Sequence, residues 1–253
     1  MAATVFFLTP LPDVGGIAIL DGPEGRHAAT VRRIGVGERL VLADGHGELA
    51  DGEVVAAAKD RLDIQVTARR TIAAASPWVT VIQALPKAER SELAVELATE
   101  AGADAFVPWQ ASRCVARWDG PKAVKGVAKW RNAAIAAAKQ ARRAWIPEVA
   151  DVHRMADVAG LVRGQVAAGG LVAILHGSAT TQLTELPLRE APSLTLIVGP
   201  EGGVSDDEVA ALTEAGAVAV LLGPQVLRTS TAAAVALGAV GALTDRWSAA
   251  PPE

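Results

Sequence analysis

Three short apolar runs in the C-terminal third constrain this chain more than any other feature. Residues 171–175 lead into His176-Gly177-Ser178. Residues 194–198 lead into Gly199-Pro200-Glu201-Gly202-Gly203. Residues 217–222 lead into Gly223-Pro224 and then Leu227-Arg228-Thr229-Ser230-Thr231. Short continuous apolar runs bounded by turn residues read as strands buried on both faces, the pattern of parallel sheets covered by helices. Helices are expected over 206–215 and 229–243, which supply that cover.

The same alternation extends upstream. Residues 79–85 read as a buried strand, 89–101 as a helix stopped by Gly102, 105–107 as a strand and 121–143 as a long basic helix. Strands alternating with helices argue for an α/β domain with a mostly parallel sheet. Residues 1–72 have a different texture. Short runs at 4–8, 16–20, 39–43, 47–57 and 62–68, a hairpin signal at Asp44-Gly45-His46-Gly47 and one short helix over 23–34 suggest a small β-barrel. The texture changes near 69–77, and a linker is expected over 71–77, dividing a first domain of 1–72 from a second of 77–253.

In open α/β sheets ligands bind beyond the carboxyl ends of the strands, and glycine there lets backbone come close to a ligand. The three loops therefore form a candidate site for one small molecule. They match neither the G-x-G-x-x-G nor the G-x-x-x-x-G-K-[ST] fingerprint, which argues against a nicotinamide or P-loop enzyme. The single cysteine, Cys114, and four scattered histidines offer no metal-ligand spacing, so no metal site is expected.

The net charge is −4. Between Arg113 and Arg143, however, nine Lys/Arg face one acid, Asp119, so that segment is +8 and the remainder −12. Such a local excess can bind phosphates on an acidic protein; a solvated helix face is the other reading. No basic stretch precedes an apolar core at the start, and no run of about 18 apolar residues occurs, so a cytoplasmic, membrane-free protein is expected.

The paired C-terminal motifs resemble the signature of the SPOUT methyltransferases: Leu196-Ile197-Val198-Gly199-Pro200-Glu201-Gly202-Gly203-Val204-Ser205, and Leu221-Leu222-Gly223-Pro224-Gln225-Val226-Leu227-Arg228-Thr229-Ser230-Thr231-Ala232. More narrowly, the chain resembles the 16S ribosomal RNA (uracil-N3)-methyltransferase family. The stretch His27-Ala28-Ala29-Thr30-Val31-Arg32-Arg33, the segment Leu85-Pro86-Lys87 through Glu100-Ala101-Gly102-Ala103, and Ser112-Arg113-Cys114 before the basic helix also fit.

The resemblance implies an N-terminal PUA-like β-barrel joined to a C-terminal α/β trefoil-knot domain acting as a homodimer. It implies S-adenosyl-L-methionine as cofactor and N3 of a uridine in 16S rRNA of the 30S subunit as acceptor, uridine 1498 in conventional numbering. The implied cofactor residues are Leu175, His176, Gly177, Gly199, Pro200, Glu201, Gly203, Leu222, Gly223, Leu227, Thr229 and Ala232. Two departures stand out. Family members commonly carry Glu where Ser230 stands, and often Arg where Gln225 stands.

Uracil N3–H ionises about two to three units above neutral pH, so its deprotonation at pH 7 costs roughly 3–4 kcal/mol. Arg228 and Glu201 are the candidate catalytic residues. Arg228 would stabilise the uracil anion or anchor a phosphate, the alternative being a structural ion pair. Glu201 would act as base or orient the cofactor, the alternative being a turn cap. Thr229 or Ser230 would cap the helix that follows. RNA would be held by Arg26, Arg32 and Arg33 of the barrel and by Arg113, Lys139, Arg142 and Arg143, and one of Trp109, Trp118, Trp130 and Trp145 could stack on a base. His27 either faces RNA or is a buried neutral histidine. Two other functions stay open: a SPOUT ribose 2′-O-methyltransferase on tRNA or rRNA, and a non-catalytic rRNA-binding assembly factor.

Overall fold

The computed structural model describes residues 4–248, which form two compact units. The first comprises residues up to Ala74 and also takes in Ala138–Ile146, a segment that sequence patterning groups with the basic helix. The second comprises Ala75–Ala137 and the described residues from Pro147 to Ser248.

In the first unit the elements are β1 (Val5–Phe7), β2 (Ile17–Leu20), α1 (Gly22–Arg26), β3 (Arg39–Ala43), β4 (Glu48–Ala58) and β5 (Arg61–Thr71). They make a five-stranded sheet in the order β1-β3-β4-β5-β2. β1 runs parallel to β3, and the other pairings are antiparallel. Asp44 shapes the hairpin between β3 and β4: its Oδ1 accepts the N–H of His46 at 2.7 Å and of Glu48 at 3.0 Å. Alternate residues point inward, and Phe6, Leu20, Leu40, Leu42, Leu62 and Ile64 form a sealed core.

The helix expected over 23–34 is a five-residue α-helix followed by a π-helical turn over His27–Val31. The strand expected over 62–68 runs further, because β5 continues through Thr71, pairing Arg69 with Ala50 and Arg70 with Leu49. The polar β5 residues obscured a strand that its partner, not its own pattern, holds in place.

The second unit contains β6 (Trp78–Ala84), α2 (Ala88–Glu100), β7 (Ala105–Trp109), α3 (Pro121–Gln140), β8 (Glu148–Val149), α4 (Met155–Ala167), β9 (Leu171–Leu175), β10 (Thr181–Gln182), β11 (Ser193–Val198), α5 (Asp206–Glu214), β12 (Val218–Leu221) and α6 (Thr229–Leu243). The last residues of α3 belong with the first unit. Seven strands, all parallel, take the order β10-β12-β9-β11-β6-β7-β8. The central strands are buried along nearly their whole length, as continuous apolar runs require. α6 is rich in Ala and Gly, and its Ala232, Ala233, Ala236, Leu237 and Val240 are buried. Small side chains let it pack closely on α2.

The basic helix ends at Gln140, three residues earlier than expected. Arg142 takes a left-handed conformation (φ 55°), with its N–H on the Lys139 carbonyl and the Arg143 N–H on the Ala138 carbonyl. That is a helix stop of the kind glycine usually provides, made here by a residue with no stop signal. The tryptophans near this helix are largely structural. Trp109 and Trp130 are fully buried, Trp118 packs edge-on against Trp130 at 5.3 Å, and Trp145 donates its indole N–H to the Ile72 carbonyl at 2.8 Å. Among the described residues no helix is long and apolar enough to cross a membrane.

Candidate functional site

Register places the three predicted loops side by side. Val198 of β11 pairs with Leu175 of β9 and with Gln83 of β6, and Val220 of β12 pairs with Leu175. The strands therefore end level, and the chain leaves each of them on the same edge of the sheet.

Two cavities open there. The larger, about 530 Å³, is lined by Leu175, His176, Gly177, Gly199, Pro200, Glu201, Gly203, Leu227, Arg228, Thr229 and Ala232, with Val198, Val204 and Val226. The smaller, about 390 Å³, shares Leu175, His176, Gly177, Val226, Leu227 and Ala232 and adds residues 221–225, among them Leu222 and Gly223. Every loop residue singled out as a cofactor contact, and both candidate catalytic residues, thus line one of two adjoining cavities. Both volumes lie in the range of about 300–1,000 Å³ typical of small-molecule sites. The smaller has apolar walls in Leu175, Leu222, Leu227 and Ala232. Gly177 borders open space, with no atom within 4 Å of where a Cβ would stand. An apolar cradle with exposed backbone suits a nucleoside-like ligand.

The Gly199–Gly203 loop is held by several contacts. The Gly203 N–H bonds the Pro200 carbonyl at 2.8 Å, and Gly203 has φ +72°. At Gly199 a Cβ would lie 2.7 Å from Val204 Cγ2, so the turn admits no side chain. Glu201 Oε1 accepts the backbone N–H of Lys87, the residue preceding α2, at 3.1 Å. Arg113 donates from Nη1 to the Gly202 carbonyl at 3.3 Å. Behind the loop, Ser205 and Glu208 form a reciprocal capping box at the start of α5. Glu208 is buried and accepts the N–H of Ser112 at 2.7 Å and of Ser205 at 3.1 Å. Burial works to raise its pKa, but these N–H donors and the neighbouring serine hydroxyls outweigh it, leaving the carboxyl below the ordinary glutamate value.

Arg228 is the N-cap residue of α6. Its carbonyl accepts the N–H groups of Thr231 and Ala232 while its side chain stays exposed on the cavity. The expected capping by Thr229 or Ser230 does not occur; both lie inside the helix and are buried. The helix begins one residue earlier than their hydroxyls could serve. His176 sits between the two cavities, with Nδ1 3.0 Å from Ser178 Oγ.

The residues expected to hold RNA are spread over both units. Arg26, Arg32 and Arg33 are exposed around α1 and the turn after it, and Arg32 reaches Thr4 Oγ1 at 3.2 Å. Arg142, exposed, and Arg143, half-buried, follow α3 in the first unit. Lys139 is committed inside that unit: Nζ contacts both Glu24 carboxylate oxygens at 2.8 Å and lies 4.7 Å from the Phe6 ring centroid. Arg113 is in the second unit, beside Gly202. His27 packs edge-on to Phe6 at 5.9 Å, and burial, then the Lys139 charge, lower its pKa. It is thus a half-buried, packed histidine whose charged form is disfavoured. Sequence reading missed Lys87 and Arg90, which also line the larger cavity. The Leu85-Pro86-Lys87 stretch was visible, but nothing in it signalled that α2 would start over the loops.

Comparison with known proteins extends this picture. A family model described as an RNA methyltransferase domain matches residues 74–241, and one described as an RNA methyltransferase PUA domain matches residues 20–67. Ribosomal RNA small subunit methyltransferase E of Mycobacterium bovis is 57% identical over 249 residues, which cover 98% of this chain and 95% of that protein. The protein of the same name from Bacillus subtilis is 33% identical, over 89% of this chain and 90% of its own. The crystal structure of ribosomal RNA small subunit methyltransferase E from Neisseria gonorrhoeae bound to S-adenosyl methionine matches with a TM-score of 0.85 at 25% identity, covering 96% of this chain and 98% of that one.

Proposed function

We propose a function from one premise: this chain belongs to the ribosomal RNA small subunit methyltransferase E family of RNA methyltransferases. It transfers a methyl group from S-adenosyl-L-methionine to N3 of a uridine in 16S rRNA of the 30S subunit. The observation that carries this reading is the convergence of three strand-end loops on one apolar and one cation-lined cavity.

The apolar walls at Leu175, Leu222, Leu227 and Ala232, with backbone from the His176, Gly199 and Gly223 loops, fit the cofactor. When bound, it supplies an electrophilic methyl on a sulfonium leaving group. The protein's own contribution is to place the uracil and stabilise the anion left when N3 gives up its proton to solvent water. Arg228, fixed through its backbone to α6 and with its guanidinium on the cavity, donates to the uracil anion. Glu201, bonded to the Lys87 N–H, holds the loop in register with the start of α2. Arg26, Arg32, Arg33, Arg142 and Arg143 contact RNA from the first unit, and Arg113 supports the Gly202 carbonyl from the second.

The finer architecture is part of the same proposal: a closed PUA-like barrel over 1–72, a trefoil knot within 77–253, and a cytoplasmic homodimer. Val226, 98% exposed on the cavity rim, and exposed Val235 on α6 leave apolar surface that a second copy would cover.

The test is to incubate the protein with methyl-labelled S-adenosylmethionine and 30S subunits lacking the native mark, then digest the 16S rRNA. Labelled N3-methyluridine is expected. Label in a ribose-methylated nucleoside, or none despite cofactor binding, would overturn the reading.

A further inference from the structure

The side chains of Lys87 and Arg90 have no part in the chemistry derived above, yet both residues line the larger cavity with Arg228. They stand three residues apart at the start of α2, where the Arg90 N–H bonds the Lys87 carbonyl at 2.8 Å. Lys87 is the N-cap residue and Arg90 lies in the first turn, and both line the same cavity wall. Among the described residues, none of these three side chains makes a hydrogen bond or ion pair. Arg90 is half-buried, so its guanidinium has lost part of its hydration without a protein partner.

Elsewhere the chain pairs its cations readily. Arg61 meets Asp63, Lys129 meets Glu92, and Arg154 meets Asp119. Among the described residues the cavity wall carries one carboxylate, Glu201, and it has an oxygen turned to backbone. The wall is thus cationic on a protein of net charge −4.

We infer that Lys87 and Arg90 bind the phosphodiester backbone of the acceptor RNA beside the nucleotide being modified. The inference rests on the methyl-transfer reading and adds the residues that seat its substrate. A uracil is neutral until N3 loses its proton and needs one donor group in the transition state, which Arg228 supplies. A phosphodiester is anionic throughout, and two fixed cations match it. The guanidinium fork of Arg90 meets two phosphate oxygens, and the Lys87 ammonium adds a point charge. Contacts made equally before and during reaction act on KM rather than kcat.

The experiment compares the full-length wild type with Lys87→Ala, Arg90→Ala and Arg90→Lys. Binding to 30S subunits lacking the methyl mark is followed by filter retention across a salt series, alongside kcat, KM and S-adenosylmethionine affinity. Each alanine variant should weaken 30S binding and raise KM by roughly tenfold and lower the salt slope by about one. Cofactor affinity and kcat should change less than about twofold. Arg90→Lys should keep the slope and lose part of the affinity.

Unchanged slopes in both alanine variants would overturn the inference, as would a proportionate loss of cofactor affinity. The two readings fail separately. A wild type that makes no N3-methyluridine while the slopes still fall removes the acceptor reading and leaves the anchor. Product with unchanged slopes removes the anchor alone.

Discussion

Arg246 and Asp104 form a buried ion pair, Nη1 to Oδ2 at 2.8 Å, between residues 142 apart in the chain. Asp104 Oδ2 also accepts the Val79 N–H at 2.8 Å, and the Arg246 guanidinium donates to the carbonyls of Pro77 and Gly102. The pair ties the segment after α6 to the first strand of the sheet that carries the loops. Replacing Arg246 by alanine leaves a buried carboxylate with one donor fewer. The expected cost is about 3–5 kcal/mol in urea unfolding. A loss under about 1 kcal/mol would show that the pair is incidental.

Glu208 predicts an acid limit on stability. Its folded pKa lies below the ordinary value, so its contribution is complete above the unfolded glutamate pKa of about 4.3 and is lost as pH falls through the folded value. Glu208→Gln should cost about 1–3 kcal/mol at pH 7, since one buried N–H loses an acceptor. It should also flatten the stability curve below about pH 4.5. Parallel curves for the two proteins in that range would refute the assignment.

Arg228 separates charge stabilisation from binding. On the proposed role, in which the guanidinium acts when charge develops on the base, Arg228→Ala should lower kcat by about a hundred- to a thousandfold while calorimetric cofactor affinity holds. A matching drop in cofactor affinity with kcat intact would move Arg228 into the cofactor site.

Lys139 sits in the basic stretch yet faces inward. Lys139→Met should lower stability by about 1–2 kcal/mol through loss of the Glu24 and Phe6 contacts. It should leave the salt slope of RNA binding unchanged. The His27 pKa, followed by NMR, should rise toward its ordinary value, because the Lys139 charge is the second cause of its depression after burial. A fall of about one in the salt slope would mean that Lys139 reaches phosphate after all.

Much of the fold was legible because apolar runs carry their own signal. β9 occupies the bounds that its five consecutive apolar residues suggest, and α6 occupies those set by its Ala-rich run. α4 escaped notice, since two glycines dilute the pattern of Met155–Ala167. β8 and β10 are two residues each and exist only because a neighbouring strand offers unpaired backbone. The candidate site was legible in its glycine-bearing loops and Arg228, while Lys87 and Arg90 stood in a stretch that fits the family without any signal that they line the cavity.

The sequence by itself determined most of the longer strands and helices and which glycine-bearing loops lie at strand ends, because burial periodicity and glycine are local properties. It also determined that nine cations crowd one stretch. Only the tertiary structure decided what those cations do. Lys139 turns to Glu24, Lys129 to Glu92, Arg131 to the Val149 carbonyl and Asp151, and Arg113 to the Gly202 carbonyl. Whether a charge meets a carboxylate, a carbonyl or an open cavity depends on residues tens of positions away. Only the packed chain brings them within the few ångströms over which such contacts act.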